Sequence, residues 1–188
     1  MSRAYRIAVS ESLRRHVWVG DGVETTLELL SVLPQDRMAT LLAAELSKLG
    51  VEREGDTCRR VDDEGVTIEV ELLEGTVTVS LSAEAELELE RETVAASYTQ
   101  EGLKEAANER REQLQRRLEA AADAKEEALR LAVSEKLERK LRDVQAELDG
   151  AVNRATAAAL KEKAAQLGEI EEISEDVESG ELTIRVRL

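Results

Sequence analysis

The sequence predicts an α+β fold in which an antiparallel sheet, built from two helix–strand–strand units, carries a long helical hairpin between those units. Three observations predict it. The hexapeptide Thr-Ile-Glu-Val-Glu-Leu at 67–72 returns as Thr-Ile-Arg-Val-Arg-Leu at 183–188, residues 77–90 alternate strictly between apolar and polar, and residues 100–167 contain no proline. A period of two is typical of a strand with one packed face, and a long proline-free run rich in Ala, Glu and Leu is typical of helix.

Both copies of the hexapeptide have the same surroundings. Each follows an apolar-patterned helix that stops at a Leu-Gly pair, then an acidic strand-like stretch and a turn glycine, Gly65 or Gly180. Because a repeated unit exposes matching edges, we expect both copies to pair in one sheet. The predicted divisions are a sheet domain whose first part is residues 1–96, a helical arm at 97–168, and a strand pair at 169–188 that completes the sheet domain.

The N-terminal third begins with strands and ends with a helix. Residues 5–9 alternate as a half-buried strand does, and Gly20-Asp21-Gly22 predicts a hairpin turn because glycine admits positive φ. Pro34 suits the first turn of a helix, and Gly50 supplies its stop. Between them lies one apolar stripe, formed by Met38, Leu41, Leu42, Leu46 and Leu49.

The strand over 77–90 places four glutamates, Glu84, Glu86, Glu88 and Glu90, on one face and apolar residues on the other. A cation site or an acid/base pair is one interpretation of this row. A solubilising, water-facing strand surface is the interpretation that we favour, because carboxylates in line along a solvated strand need no partner.

The helical region shows two apolar stripes that do not join in phase. The first runs through Leu114, Leu118, Ala121, Ala128 and Ala132, and the second begins at Leu137, five residues later. One explanation is a helical hairpin whose tip lies within 123–136. The other is one continuous coiled coil with a local winding defect. The hairpin is favoured because it returns the final strands to the sheet, and Ser97 or Thr99 is expected to cap its first helix.

Charge restricts the class of partner. The net charge of −15 comes from residues 50–93, with 14 acidic and four basic residues, and from residues 169–188, with seven acidic and two basic. A phosphate backbone is repelled by such a field, so no nucleic-acid partner is expected. A cationic protein partner and simple solubility both fit this charge.

Cys58 and His16 are the only cysteine and the only histidine. One of each is too few for the common metal sites and too few for a disulfide, so we expect no metal, no cofactor and no enzymatic activity. The N-terminus lacks the apolar run of a signal peptide, and no stretch has the length of a transmembrane helix. The expected location is therefore the cytoplasm, without membrane insertion.

Trp18 and His16 are the candidate partner interface. Alternation within their strand places both on one face and Val17 and Val19 on the other. If the valines face the core, Trp18 faces outward, and an exposed tryptophan is a favoured interface anchor. The competing interpretation is that both faces of this strand are covered by helices.

The sequence resembles the accessory X proteins of bacterial FtsH-type ternary systems, which are encoded beside an AAA+ ATPase and a von Willebrand A domain protein. The resemblance rests on residues 1–7, on residues 41–56 with their Leu49-Gly50 stop, and on residues 180–186. The ending also resembles a small cyanobacterial and plastid family in which a helix ending in glycine leads into two strands. The resemblance implies a partner role near an ATPase machine, and it carries over no functional residue.

From the residues and this resemblance we expect a non-enzymatic adaptor or assembly protein, which works with an AAA+ ATPase-containing system through protein–protein contacts. One alternative is a structural coiled-coil protein that dimerises through its long helices. A third is an enzyme that uses carboxylates. The oligomeric state, including a homodimer, is left open by the sequence.

Overall fold

The computed structural model describes residues 4–176 and 181–187, so the predicted turn glycine Gly180 and the last residue, Leu188, lie outside the described residues. Nine elements follow in chain order: β1 (Tyr5–Thr26), α1 (Gln35–Lys48), β2 (Glu52–Glu54), β3 (Thr57–Val61), β4 (Thr67–Glu71), β5 (Thr76–Ser97), α2 (Gln100–Leu167), β6 (Glu169–Asp176) and β7 (Glu181–Arg187). Strands β1-β5-β4-β3-β2, in that order, form an antiparallel sheet, and β6 pairs with β7. The predicted α+β class is confirmed.

The chain divides into two compact units. Unit 1 comprises Met1–Asp21 and Ser82–Glu135, and unit 2 comprises Gly22–Leu81 and Lys136–Leu188. Strands β1 and β5 and helix α2 each contribute residues to both units. The predicted divisions are consecutive along the sequence, whereas each compact unit is assembled from two separate segments.

Strand β1 continues through Gly20-Asp21-Gly22, so the hairpin turn predicted there is wrong. Neither glycine has a positive φ, and the extended backbone matches a partner, β5, that is also 22 residues long. In unit 1, a Cβ built on Gly20 would lie 2.8 Å from Cη2 of Trp18. In unit 2, a Cβ on Gly22 would lie 3.3 Å from Cβ of Ser80. These glycines make room for neighbouring atoms and do not turn the chain.

Helix α2 is a single helix from Gln100 to Leu167, so the predicted helical hairpin is wrong. Its buried positions show why. Four of its buried residues recur every eleven positions: Ala122, Val133, Val144 and Ala155. An eleven-residue repeat corresponds to about 3.67 residues per turn, so one uninterrupted helix can present all four on one side. Ala128 and Ala132, by contrast, are exposed. The five-residue step arises because Ala128 and Ala132, unlike Leu114 and Leu118 of the same stripe, do not lie on the buried side of the helix.

The start of α2 is capped as expected. Oγ1 of Thr99 accepts a hydrogen bond of 3.1 Å from the backbone N–H of Gly102, the third residue of the helix. Such a bond satisfies one of the N–H groups that have no partner within the helix. Thr99 is therefore the cap, rather than the alternative Ser97.

The two copies of the repeated hexapeptide belong to different sheets, so the predicted single sheet is not observed. Each copy is the second strand of an antiparallel pair, β3 with β4 and β6 with β7. The free edge of β4 is taken by β5, whose Val77–Ser80 pair with Thr67–Val70. A short turn, in which Gly75 has φ +72°, connects β4 to β5. Strand β5 therefore occupies the edge of β4 with which the second copy of the hexapeptide, in β7, was expected to pair. Within the described residues β6 and β7 pair only with each other.

A β-bulge on β6 shifts the register of its pairing with β7. Ile170 lies opposite Val186 and Ile173 opposite Ile184, so a three-residue step on β6 matches a two-residue step on β7. The extra residue, Glu171, lets both isoleucines share one face with the apolar residues of β7. Arg187 pairs with Glu171 at 2.6 Å.

The core of unit 2 gathers around α1 and the strands β3, β4 and β5. Leu42 and Leu46 of α1 are fully buried, as are Val70 and Val77 of the sheet. Gly50, with φ +76°, ends α1 as predicted, and the N–H of Val51 donates to the carbonyl of Leu46 at 3.2 Å.

Unit 1 has a core cluster that joins its strands to α2. Val9 of β1 and Ala95 of β5 pack with Leu114 of α2, and Ala106 and Ala107 border them. Two ion pairs flank this contact, Arg111 with Glu11 at 2.8 Å and Arg15 with Asp123 at 2.6 Å. Strands β1 and β5 of this unit therefore pack one face against α2.

The turn between β3 and β4, in unit 2, depends on Asp62. Its Oδ1 accepts hydrogen bonds from the backbone N–H groups of Glu64 at 2.8 Å and Val66 at 2.9 Å. Nζ of Lys140 lies 3.3 Å from Oδ2. Burial favours the neutral acid, but these donors outweigh it, so the pKa of Asp62 is lowered from its ordinary value.

We expect Asp62→Asn to destabilise the protein by about 1.5–3 kcal/mol at pH 7, the range for hydrogen bonds to a charged group. Because the pKa of Asp62 is lowered in the folded state, its ionised carboxylate stabilises the fold at pH values above its ordinary pKa of 3.8. That stabilisation is lost as the pH falls through the folded-state pKa. The variant should therefore lose less stability than the parent on acidification. Urea unfolding at several pH values measures both effects. Asp63→Asn, at an exposed neighbour, is the control, and equal losses in the two variants would contradict the assignment.

Candidate interaction surface

The outward face of β1 and β5 in unit 1, termed the ribbon face, gathers the polar and aromatic residues that alternate with the packed ones. Val17 and Val19 are each 4% exposed, whereas Trp18 between them is 61% exposed and His16 is exposed. Trp18 and His16 therefore face outward, as the alternation predicts. The ribbon face consists of Arg14, His16 and Trp18 on β1 and of Glu84, Glu86, Glu88 and Glu90 on β5.

Trp18 is held in place although it is exposed. Its indole ring lies over Gly20, since a Cβ on that glycine would come within 2.8 Å of Cη2 and 3.2 Å of Cζ2. An aromatic ring beside a strand glycine covers backbone that would otherwise be solvated. The buried valines on either side fix the backbone that carries the ring. Trp18 thus presents a large, pre-oriented apolar surface to the solvent.

The ribbon face is acidic. Arg14 forms an ion pair with Glu88 and lies 3.9 Å from Glu86, and Nε2 of His16 lies 3.9 Å from Oε2 of Glu84. These pairs are well exposed, so each adds little stability. Four carboxylates face one arginine and one histidine, which leaves a negative field around Trp18. Such a field attracts cationic groups and repels phosphate backbones.

Cys58 and His16 have no common site. Cys58 lies in β3, in unit 2, and is 0% exposed, whereas His16 is an exposed residue of unit 1. Burial raises the pKa of the Cys58 thiol, and the charge of Arg53 opposes that effect only in part. A buried neutral thiol is a poor nucleophile and a poor metal ligand. No three His, Cys, Asp or Glu side chains are grouped to hold a metal ion in the part of the chain that the structure describes.

A cleft in unit 2 was not found by sequence reasoning. It has a volume of about 210 Å³ and is lined by residues of β1, β5 and α2, among them Val23, Val77, Leu141 and Val144. Gln145 and Asp149 supply polar groups to its wall. Because the lining comes from three distant segments, the sequence carried no local signal for this cleft.

None of the described helices is long and apolar enough to cross a membrane.

A family model described as FtsH ternary system domain X5 matches the chain over residues 1–188. That match includes the helical middle, whereas the resemblance seen in the residues rested on the two ends and on residues 41–56. The chain matches no curated protein and no solved structure.

Proposed function

The chain belongs to the family of FtsH ternary system X5 domains, and we propose that it serves its system as a non-enzymatic adaptor or assembly protein through protein–protein contacts. The expected partners are the proteins that the resemblance implies, an AAA+ ATPase and a von Willebrand A domain protein. Membership of this family makes the chain an accessory component of an FtsH ternary system.

Exposure of Trp18 is the observation that carries the proposal. A tryptophan that is 61% exposed presents a large apolar surface to the solvent, and tryptophan is enriched among the residues that dominate binding energy. Its backbone is fixed by two buried valines, so little conformational entropy would be lost on binding. The surrounding glutamates select against nucleic acid and in favour of a cationic protein surface.

The coiled-coil alternative has less support. A dimeric coiled coil needs its apolar stripe free for a second chain. In α2 the large stripe residues Leu114, Leu118, Leu137 and Leu148 are at most 5% exposed within the single chain. An obligatory dimer that dissociates when these leucines are replaced, as measured by sedimentation, would favour the alternative.

The carboxylate-enzyme alternative also has less support. Acid/base catalysis needs two carboxyl groups that converge on a substrate in a protected site. The side chains of Glu84, Glu86 and Glu88 are 62–66% exposed and lie in a row along one strand. This arrangement suits a solvated binding face.

Binding to the purified AAA+ ATPase and von Willebrand A domain protein of the same ternary system tests the proposal. We expect one of them to bind, and Trp18→Ala to weaken that binding by more than about 1 kcal/mol, or roughly fivefold in Kd. Leu131→Ala is the matched control, because Leu131 is a large apolar residue of unit 1 that is 56% exposed. Calorimetry measures both. Absence of binding to either protein would overturn the adaptor role.

A further inference from the structure

Among the described strands, β5 has a free edge in unit 1. Its pairing with β4 involves only Val77–Ser80, and β1 is its neighbour on the other side. From Ser82 to Ser97, therefore, the described strands leave the second edge of β5 without a neighbour. A strand edge of this kind presents a row of backbone N–H and C=O groups that can pair with another extended chain.

The side chains along this edge select its occupant. Glu84, Glu86, Glu88 and Glu90 project from one face at a spacing of about 7 Å, set by the two-residue repeat of a strand. Between them Ala83, Ala85, Leu87 and Leu89 are half-buried on the other face. An added strand would meet a row of carboxylates on one face and small or aliphatic side chains on the other.

A second copy of this chain is a poor occupant. Pairing β5 with another β5 would place its glutamates beside those of the first chain on the same face, and like charges directly opposite each other destabilise a strand pair. Arg14 does not remove this repulsion, because it lies on the β1 side and its ion pairs among the described residues reach Glu86 and Glu88, two of the four glutamates. A strand with lysine or arginine at alternate positions has the complementary charge.

We propose that the free edge of β5, from Ser82 to Ser97, takes up a basic extended segment of a partner protein as an added strand. Lysine or arginine side chains at every second position of that segment face Glu84, Glu86, Glu88 and Glu90. The alternate positions hold apolar side chains beside the aliphatic face. The inference rests on the proposed adaptor function, and it specifies the chemistry of the partner segment.

A labelled eight-residue peptide that alternates lysine and valine is the probe, and fluorescence anisotropy measures its binding to the full chain. A peptide of the same composition, with four lysines followed by four valines, controls for charge alone. We expect the alternating peptide to bind at least about tenfold more tightly. Glu86→Lys/Glu88→Lys should lower its affinity by roughly tenfold or more. Glu105→Lys/Glu109→Lys, which changes two exposed glutamates of α2 by the same charge, should bind like the parent.

Hydrogen exchange tests the geometry. Backbone amides within 82–97 should exchange more slowly in the peptide complex, because an added strand supplies acceptors to the free edge. Equal binding of the two peptides, or binding without this protection, would overturn strand addition. Protection of the same amides in the free chain, together with a dimeric mass, would assign the edge to a second copy and would also overturn it.

The two proposals fail separately. If Trp18→Ala weakens binding to the system proteins while Glu86→Lys/Glu88→Lys leaves it unchanged, the adaptor role stands and strand addition is wrong. If neither system protein binds the parent chain, the adaptor role itself fails.

Discussion

Val133→Asp is expected to destabilise the protein by about 3–5 kcal/mol, because it places a carboxylate without a partner in a buried position. Val133 is 4% exposed and belongs to the buried side of α2. Ala132→Asp, one residue earlier, should cost no more than about 1 kcal/mol, because Ala132 is exposed and the loss is mainly the lower helix propensity of Asp.

This neighbouring pair of variants separates the two descriptions of the helical region. In the sequence interpretation, Ala132 belongs to the first apolar stripe, which is the seam expected to be packed. In the continuous helix, Val133 occupies the stripe that repeats every eleven residues. Thermal unfolding followed by circular dichroism ranks the two variants, and a larger loss in Ala132→Asp would show that the seam, and not the continuous stripe, is packed.

Leu42→Ala is the second change with a large expected effect. Leu42 is 0% exposed and is among the largest fully buried side chains of the described residues. Truncation of a buried leucine removes its transfer free energy and leaves a cavity, at a cost of about 2–5 kcal/mol. For a chain of this length a loss of 1 kcal/mol lowers Tm by roughly 2–4 °C, so we expect a fall of about 5–20 °C.

Leu41→Ala is the matched control for Leu42→Ala. Leu41 is the adjacent leucine of α1 but only half-buried, and it borders the cluster of Leu33, Met38 and Ala159. Its truncation should cost clearly less, because solvent and mobile neighbours can fill part of the space. Calorimetric melting of both variants makes the comparison, and equal losses would mean that α1 packs in a different orientation.

The alternation of residues predicted both the strand β5 and the outward position of Trp18 and His16. A single strand imposes a period of two on its own side chains, so this information is local. The partners across the ribbon face were not predictable in the same way. The pairing of Arg14 with Glu88 depends on the register between β1 and β5, strands that are far apart in the sequence.

The sequence by itself determined the α+β class, helix α1 with its Gly50 stop, the strand over 77–90 and the family, because propensity, periodicity and motif act within short segments. Only the tertiary structure decided three other features: the continuation of β1 through Gly20–Gly22, the separate β6–β7 sheet and the unbroken α2. Each depends on what occupies a neighbouring position in space. The indole ring over Gly20 accompanies extended backbone where the glycines signal a turn. Pairing of β5 with β4 prevents the sheet that the repeated hexapeptide predicts. Burial of one side of α2 selects one of several apolar stripes that the sequence alone leaves nearly equivalent.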